Sequence, residues 1–429
     1  MTTSQTRRRF LQTSVLASAG LCLTRSQAAP RKLSPNDKLN IGMIGVANQA
    51  NYDLNNVASQ NIVALCDIDD NYLAAAAKNF PAAKTYNDFR QLLDRNDLDA
   101  VVVATPDHTH AVATLAALRS GRHVYCEKPL ARTISEVRIV AETARKEKRV
   151  TQMGTQIHAG SNYRRVVELV QSGAIGAVRE VHVWVGGSFG NKKRPTEKPP
   201  VPAHIHYDLW LGPVEPQPYS PAYVPFYWRE WWAFGGGTLA DLGCHHMDLP
   251  HWALDLRHPL TAETEGPPVD ADSTPHWLIV HYEYPARGDK PPVKLTWYHG
   301  GKRPPHFAQG KLPQWGDGTL FVGDKGMLLA GYDHHVLLPE KDFAGFTRPQ
   351  PFIKDSIGHH NEWIDACKTG SMTTCNFDYS GALTEAVLLG NVAFRTGKKL
   401  VWDPKKLRAT NCPEADQFIQ HHYRAGWKI

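Results

Sequence analysis

Ala100-Val101-Val102-Val103-Ala104 is an apolar run without a polar face. A strand of that composition is stable when it lies inside a parallel sheet covered by helices on both sides. Runs of the same kind recur through the first third of the chain. Leu39-Asn40-Ile41-Gly42-Met43-Ile44-Gly45 reads as a buried first strand ending in glycine, and Ile62-Val63-Ala64-Leu65-Cys66 ends on Asp67. His123-Val124-Tyr125-Cys126 leads into Glu127-Lys128-Pro129, and Val150-Thr151-Gln152-Met153-Gly154 follows. Helix-like segments over 72–79, 86–94, 111–120 and 135–148 separate them, so the pattern is βαβ repetition. Each strand hands over at its C-terminal end to residues with chemistry: Asp67, then Thr105-Pro106-Asp107-His108-Thr109-His110, then Glu127-Lys128. That edge is where open parallel sheets bind ligands.

Two of these edges carry the site expectation. The interval from Gly45 to Asp67 is close to the roughly 20 residues at which a dinucleotide-binding unit places the acid that takes the adenosine ribose diol. An acid there favours NAD over NADP, since a 2′-phosphate would meet like charge. Alanines 47 and 50 stand where a GxGxxG frame has its second and third glycines, and a Cβ at each crowds the pyrophosphate and the helix–strand approach. Lys128, fixed at a strand end beside Glu127 and followed by a proline that leaves the ladder, is placed for proton transfer to a hydroxyl or carbonyl.

With 429 residues the chain is too long for one ordinary core. The expected division is a leader over 1–28, a nucleotide-binding domain over 36–155 and a second domain over 156–429. Of the +6 formal charge, four positive charges are Arg7, Arg8, Arg9 and Arg25 in the first 28 residues, so the remainder is near neutral and gives no case for nucleic acid. Thr6-Arg7-Arg8-Arg9-Phe10-Leu11-Gln12, the short apolar stretch 14–23 and Ser26-Gln27-Ala28 read in order as a twin-arginine export signal, too short to span a bilayer. The expected location is periplasmic or otherwise exported, where a dinucleotide has to stay bound and be regenerated in each cycle. Cys66, Cys126, Cys244, Cys367, Cys375 and Cys412 form no CxxC pair and read as buried thiols, with a Cys367–Cys375 disulfide as the alternative in an oxidising compartment.

In the second half, 163–172 is patterned as a helix stopped at Gly173, and Val178-Arg179-Glu180-Val181-His182-Val183-Trp184-Val185 as a half-buried strand. Strands near 276–284, 293–298 and 318–322 complete a large, mostly antiparallel open sheet. The expected fold class is therefore α/β, a Rossmann domain followed by an α+β domain. Residues 207–232, dense in Trp, Tyr and Pro, are either a platform for sugar rings or a packed loop. Arg229 stands there as a substrate contact. Trp297-Tyr298-His299-Gly300-Gly301 is a candidate pocket wall. On a helix, Asp241, His245 and Asp248 share a face, so that Asp241 would hold His245 in one tautomer and leave its other nitrogen for a hydroxyl proton. A metal set from Asp241, His245, His246 and His158 or His206 lacks a fixed ligand spacing, and no metal is expected.

In this order the motifs resemble the Gfo/Idh/MocA family of nicotinamide-dependent sugar oxidoreductases. The carriers are Gly42-Met43-Ile44-Gly45-Val46, Asp67, Ala104-Thr105-Pro106-Asp107-His108-Thr109-His110, Glu127-Lys128-Pro129, and Gly235-Gly236-Gly237-Thr238-Leu239-Ala240-Asp241-Leu242-Gly243-Cys244-His245. The resemblance implies NAD contacts from Gly45, Val46, Asp67, Thr105, His108, Glu127 and Lys128. It implies a catalytic set of Lys128, Asp241 and His245, with hydride passing to or from the nicotinamide. Gln156, His158, Arg229 and His246 are the expected substrate contacts. Gln152-Met153-Gly154-Thr155-Gln156-Ile157-His158 and the leader look like an exported subgroup. The implied partner is a small carbohydrate, and the implied assembly a homo-oligomer, dimer or tetramer. Three activities follow: a sugar oxidoreductase, a glycoside hydrolase that oxidises C3 transiently so that elimination and water addition replace the aglycone, or a sugar-binding protein on a retained fold.

Overall fold

The computed structural model describes residues 34, 36–310, 312–420 and 422–429. The reading of 1–28 as an export leader lies outside the described residues.

The apolar runs form strands because only a fully paired, doubly covered backbone can bury them. β1 (Asn40–Ile44), β2 (Asn61–Cys66), β3 (Lys84–Tyr86), β4 (Ala100–Val103), β5 (His123–Cys126) and β6 (Thr151–Met153) make one parallel sheet in the order β3-β2-β1-β4-β5-β6. All four residues of β4 are completely buried. Each Val of that kind stabilises the fold by about 1.5–3 kcal/mol relative to exposure. The order reverses direction between β1 and β4, so a crevice opens at the strands' C-terminal ends.

The second sheet has nine strands in the order β13-β12-β11-β7-β10-β9-β8-β14-β15. They are β7 (Val178–Trp184), β8 (Thr261–Glu265), β9 (Leu278–Tyr284), β10 (Val293–His299), β11 (Gly318–Gly323), β12 (Met327–Ala330), β13 (His335–Leu338), β14 (Leu400–Asp403) and β15 (Arg408–Ala409). All neighbours are antiparallel except β7 with β10. Alternation along β9 puts Val280, Tyr282 and Tyr284 inward and Ile279, His281 and Glu283 outward, as a strand period of two requires. The fold class is thus a parallel Rossmann sheet joined to an α/β part with a mostly antiparallel sheet.

Helices tie the two sheets together. The helix His359–Thr369, late in the chain, packs Trp363, Ile364 and Cys367 against the core of the first sheet. The helix Phe377–Thr396 starts on Asn376, whose side chain accepts from the amides of Asp378 and Tyr379, and ends at Gly397 in the left-handed region. It is buried along most of its length, and its Glu385 takes Arg138 of the helix Ile134–Glu147 at 2.7 Å. The six cysteines from Cys66 to Cys412 are free and buried.

The polar stretch after β4 departs from expectation. The helix predicted to begin at 111 begins at Asp107, with Pro106 as the residue before its first turn. A fixed proline φ and an acid at a helix N-terminus both favour that start, so Asp107, His108 and His110 point inward from a helical turn instead of lying on a loop.

Candidate active site

A groove runs along the C-terminal ends of β1, β2, β4 and β5 and is closed on its far side by Pro225, Phe226 and Arg229 from the second half of the chain. Gly45 begins it with φ of +92°, and a Cβ there would sit 2.4 Å from the carbonyl oxygen of Ala104. This is the one position of the loop where glycine is required. Ala47 lines the groove and Ala50 is buried under it, so alanine is accommodated at both. Asp67 lies at the end of β2, its oxygens accepting from the amides of Val46 and Asp69, each at 3.0 Å. Burial, partly offset by those amides, pushes its pKa up to about 6, leaving a carboxylate at neutral pH. Both oxygens keep a lone pair for a ribose diol. Asp69 and Asp88 line the same end, a poor place for a 2′-phosphate. The dinucleotide fits this donor set and the glycine cradle.

At the other end Lys128 Nζ donates to the Asp241 carboxylate at 2.8 Å and to the Asp241 backbone carbonyl at 3.0 Å. Arg229 Nε donates to the same carboxylate oxygen at 3.1 Å, and its guanidinium lies 4.2 Å above the Trp228 ring. Burial opposes charge on Asp241, but Lys128 and Arg229 outweigh it and bring its pKa down to about 2. Burial likewise opposes charge on Lys128, and Asp241, then Glu127, raise its pKa instead, so it is held as an ammonium. His245 stands one turn after Asp241 on the helix Gly237–His246. Burial, then the Lys128 charge, drives its pKa well below the ordinary imidazole value. Its ring is half-buried and makes no hydrogen bond among the described residues, while Tyr163 donates to its backbone carbonyl at 3.3 Å. The expected Asp241–His245 pairing is therefore corrected: i, i+4 spacing allows it, but two cations from other elements hold the carboxylate. The helix also breaks at Met247, and Asp248 turns to His158 and Tyr379.

Glu127 is buried behind Lys128. It accepts from Gln156 Nε2 at 2.6 Å, from Gln49 Nε2 at 3.3 Å and from the Lys128 amide. Gly154 makes room for it, since a Cβ there would lie 2.2 Å from its Oε1. Asp53 is its neighbour and takes His360 Nε2 at 2.9 Å. Burial raises both carboxyls, and the charge of Asp53 raises Glu127 further, so the pair retains a proton near neutrality.

Other expectations change place. Val46 buries its side chain in the first sheet's core and gives its amide to Asp67 rather than facing the groove. His108 sits between Trp210 and Phe234 with Nε2 2.7 Å from the Trp210 carbonyl, outside the groove lining. Thr105 does line the groove and accepts from the Thr109 hydroxyl at 2.8 Å. Gln156 is engaged by Glu127 and Tyr125. His158 is buried, stacked on Trp252 at 4.0 Å and held by Asp248 at 3.0 Å. His246 lines a separate cavity of about 360 Å³ with Tyr163, Trp315, Asp317 and Tyr332, its Nε2 3.0 Å from the Tyr332 hydroxyl. Most of the aromatic stretch packs on itself, as with Tyr223 and Phe234 at 5.2 Å, whereas Trp210, Phe226 and Trp228 reach the groove. Trp297 and His299 are buried and hydrogen-bonded to each other, so they build no pocket wall. The metal set weighed above does not converge, because Asp241, His158, His206 and His246 each have other partners.

Two site residues have no signal in the sequence. Asp53 and His360 are brought to Glu127 from a helix and from the far end of the chain. Trp427 lines the groove beside Phe89, at 6.1 Å between ring centroids, with Arg90 over its ring at 4.8 Å. The tail carrying it is tied down by Arg424 to Asp208 at 2.6 Å. The sequence offers this aromatic tail as an anchor on the first domain or on a neighbouring subunit, and Trp427 docks on Phe89 and Arg90 of the first.

Two family models match the chain: an oxidoreductase family's NAD-binding Rossmann fold over residues 39–155 and the C-terminal alpha/beta domain of an oxidoreductase family over residues 159–290. Inositol 2-dehydrogenase of Salmonella typhimurium (strain LT2) is 34% identical over 144 residues, 33% of this chain and 43% of that protein. A glycosyl hydrolase family 109 protein of Solibacter usitatus is 32% identical over 189 residues, 40% of this chain and 43% of that one. The chain thus spans less than half the length of these curated relatives. The WlbA dehydrogenase from Chromobactrium violaceum, solved in complex with NADH and UDP-GlcNAcA, shares the fold with TM-score 0.62 at 18% identity, over 87% of this chain and 99% of that one.

Proposed function

The chain belongs to the Gfo/Idh/MocA oxidoreductase family, and from that premise we propose that it oxidises a hydroxyl of a sugar or sugar derivative with NAD, which stays bound and is regenerated in each cycle by passing the hydride and a proton to the carbonyl of a second substrate. The observation that carries this reading is the Lys128–Asp241–Arg229 cluster with a neutral, unengaged His245 one turn away. When bound, the dinucleotide supplies the acceptor for the hydride leaving the carbinol carbon.

The remaining chemistry belongs to the side chains. An ammonium has three N–H donors. Lys128 gives two to Asp241, leaving one for the substrate oxygen, where it stabilises developing negative charge. Because Asp241 keeps Lys128 charged, Lys128 is not the base. His245, held neutral by burial and by Lys128, accepts the hydroxyl proton. Arg229 completes the charge balance on Asp241 and lines the groove between Trp228 and Phe226.

Thr105, Glu127 and Gly45 border the cofactor's part of the groove, and Asp67 binds its ribose diol. The cavity beside His246 takes the distal part of the carbohydrate, supported by the aromatic and acidic side chains that line it. The proposal includes export by the leader at 1–28, supported by Arg7 and Arg8 within a twin-arginine-like motif. It also includes a homo-oligomer, supported by half-buried Ile279, Val322, Met327 and Val336 on the outer face of the second sheet. The family 109 relatives favour a second reading, a redox-neutral glycoside hydrolase at the same site.

One experiment separates the readings. Protein purified without added cofactor is incubated with p-nitrophenyl glycosides in deuterated water and, separately, with free sugars. Absorbance rising at 340 nm with free sugar, without nitrophenol release, is the expected result; nitrophenol release with deuterium at C2 establishes the hydrolase instead. Neither signal leaves a sugar-binding protein. Lys128→Ala and His245→Ala are expected to abolish turnover while retaining bound dinucleotide; loss of the dinucleotide would show that the roles are misassigned.

A further inference from the structure

The outer face of the second sheet holds a group of side chains that the groove chemistry does not use. Glu180 and His182 are two residues apart on β7 and so project to the same face. His182 is buried, with Nε2 2.6 Å from Glu180 Oε1 and Nδ1 2.9 Å from the Tyr298 hydroxyl on the neighbouring β10. His306, from the connection between β10 and β11, brings its ring to 5.0 Å from that of His182 at 64°. One ligand atom each from Glu180, His182 and His306 lies within 4.8 Å of the others, the span of a single ion.

We propose that Glu180, His182 and His306 form a binding site for one zinc-class divalent cation. Two imidazole nitrogens and one carboxylate oxygen are the donor set of zinc and its first-row neighbours, whereas calcium and magnesium take oxygen ligands. The Glu180 side chain is 48% exposed, so water completes the coordination from that side. Ligating histidines usually donate their second ring N–H to an outer partner. Tyr298 provides it: its hydroxyl lies 2.9 Å from His182 Nδ1 and can accept from Nδ1–H, turning the Nε2 lone pair toward Glu180.

The cation would fasten the β10–β11 connection to β7. That connection lays Phe307, Leu312 and Trp315 over the same sheet face. Trp315 and Asp317 then form a wall of the cavity beside His246. A metal here therefore braces a wall of the proposed carbohydrate cavity and takes no part in proton or hydride transfer.

The test uses the full untagged chain, stripped with a chelator and titrated calorimetrically with zinc chloride, calcium chloride as the control. One zinc per chain, no calcium and a raised thermal midpoint with zinc are expected. Glu180→Gln and His306→Gln, at half-buried or exposed positions that leave the core intact, should each weaken zinc binding at least tenfold and remove the thermal shift. Tyr298→Phe should weaken it by about tenfold. Cobalt substitution should give visible ligand-field bands that His306→Gln alters. Absence of zinc binding, or binding that survives both glutamine variants unchanged, overturns the proposal and leaves a His–Glu hydrogen bond on the sheet surface.

Discussion

Asp241→Asn tests the electrostatic core of the site with almost no change of shape. The carboxylate holds two cations, and the side chains of Lys128 and Asp241 are 12% and 14% exposed, so solvent screens the pair weakly. A fall in the Asp241 pKa from 3.8 to about 2 corresponds to about 2 kcal/mol at about 1.4 kcal/mol per pH unit. Leaving Lys128 and Arg229 facing each other without their anion adds to this, toward the ~3 kcal/mol typical of breaking a buried pair. The variant should thus lose about 2–3 kcal/mol near pH 7, read from urea unfolding midpoints. The sign with pH is fixed. A depressed carboxyl pKa stabilises above the unfolded value near 4 and loses that stabilisation as pH falls through about 2, so the gap between wild type and variant should close over that interval. The raised Lys128 pKa gives a contribution that is complete below the unfolded value and is lost as pH rises through the folded one. Wild-type stability from this pair is therefore flat between about pH 4 and 10. Without Asp241, burial and Arg229 push the Lys128 pKa down, and the alkaline limb of the pH–rate profile should move to lower pH. Equal stabilities at pH 7, or a gap unchanged at pH 2, would refute the assignment.

Asp67→Ala removes the acceptor for the ribose diol and should lower NAD retention through gel filtration by about tenfold or more, the cost of one charge-assisted hydrogen bond, without changing sugar KM in saturating NAD; unchanged retention excludes the ribose role. Trp427→Ala should speed NAD release, measured by exchange against labelled NAD, while unfolding stays within about 1 kcal/mol of wild type; an unchanged rate places the tail outside the cofactor's path. The Asp53–Glu127 pair binds protons more tightly folded than unfolded, so stability falls as pH rises above the unfolded values near 4 toward the folded ones. Asp53→Asn should flatten that fall between pH 5 and 8, and an unaltered slope would place the retained proton elsewhere.

β1, β2, β4, β5 and β6 of the first sheet and β7, β9, β10 and β11 of the second were legible because they announce themselves locally, by unbroken apolar runs or by alternation, whereas β3, β8 and β12 to β15 are short and were not read from the sequence. The residues at strand ends were legible for the same reason: Asp67 and Lys128 are fixed by where a run stops. What failed were inferences that needed competing partners. Asp241 is four residues from His245, but Lys128 and Arg229 arrive from other elements with full charges, and a charged partner wins over a neutral imidazole. His108 looked like a loop residue until the helix start at Asp107 turned it inward against Trp210. Asp53, His360 and Trp427 reach the site across long stretches of chain, and no local period encodes such a meeting. The docking of the helix His359–Thr369 on the first sheet shows that the nucleotide-binding part is completed by residues from the far end of the sequence.

A dinucleotide held in the groove between Asp67 and Lys128 is what every step of the proposed chemistry requires. Acid extraction of the full chain, expressed in a host and purified without added cofactor, followed by mass spectrometry of the extract, measures this directly. NAD or NADH at close to one molecule per chain, without NADP, is the expected result. An extract free of dinucleotide, from protein that also fails to take up NAD when it is supplied, would contradict it.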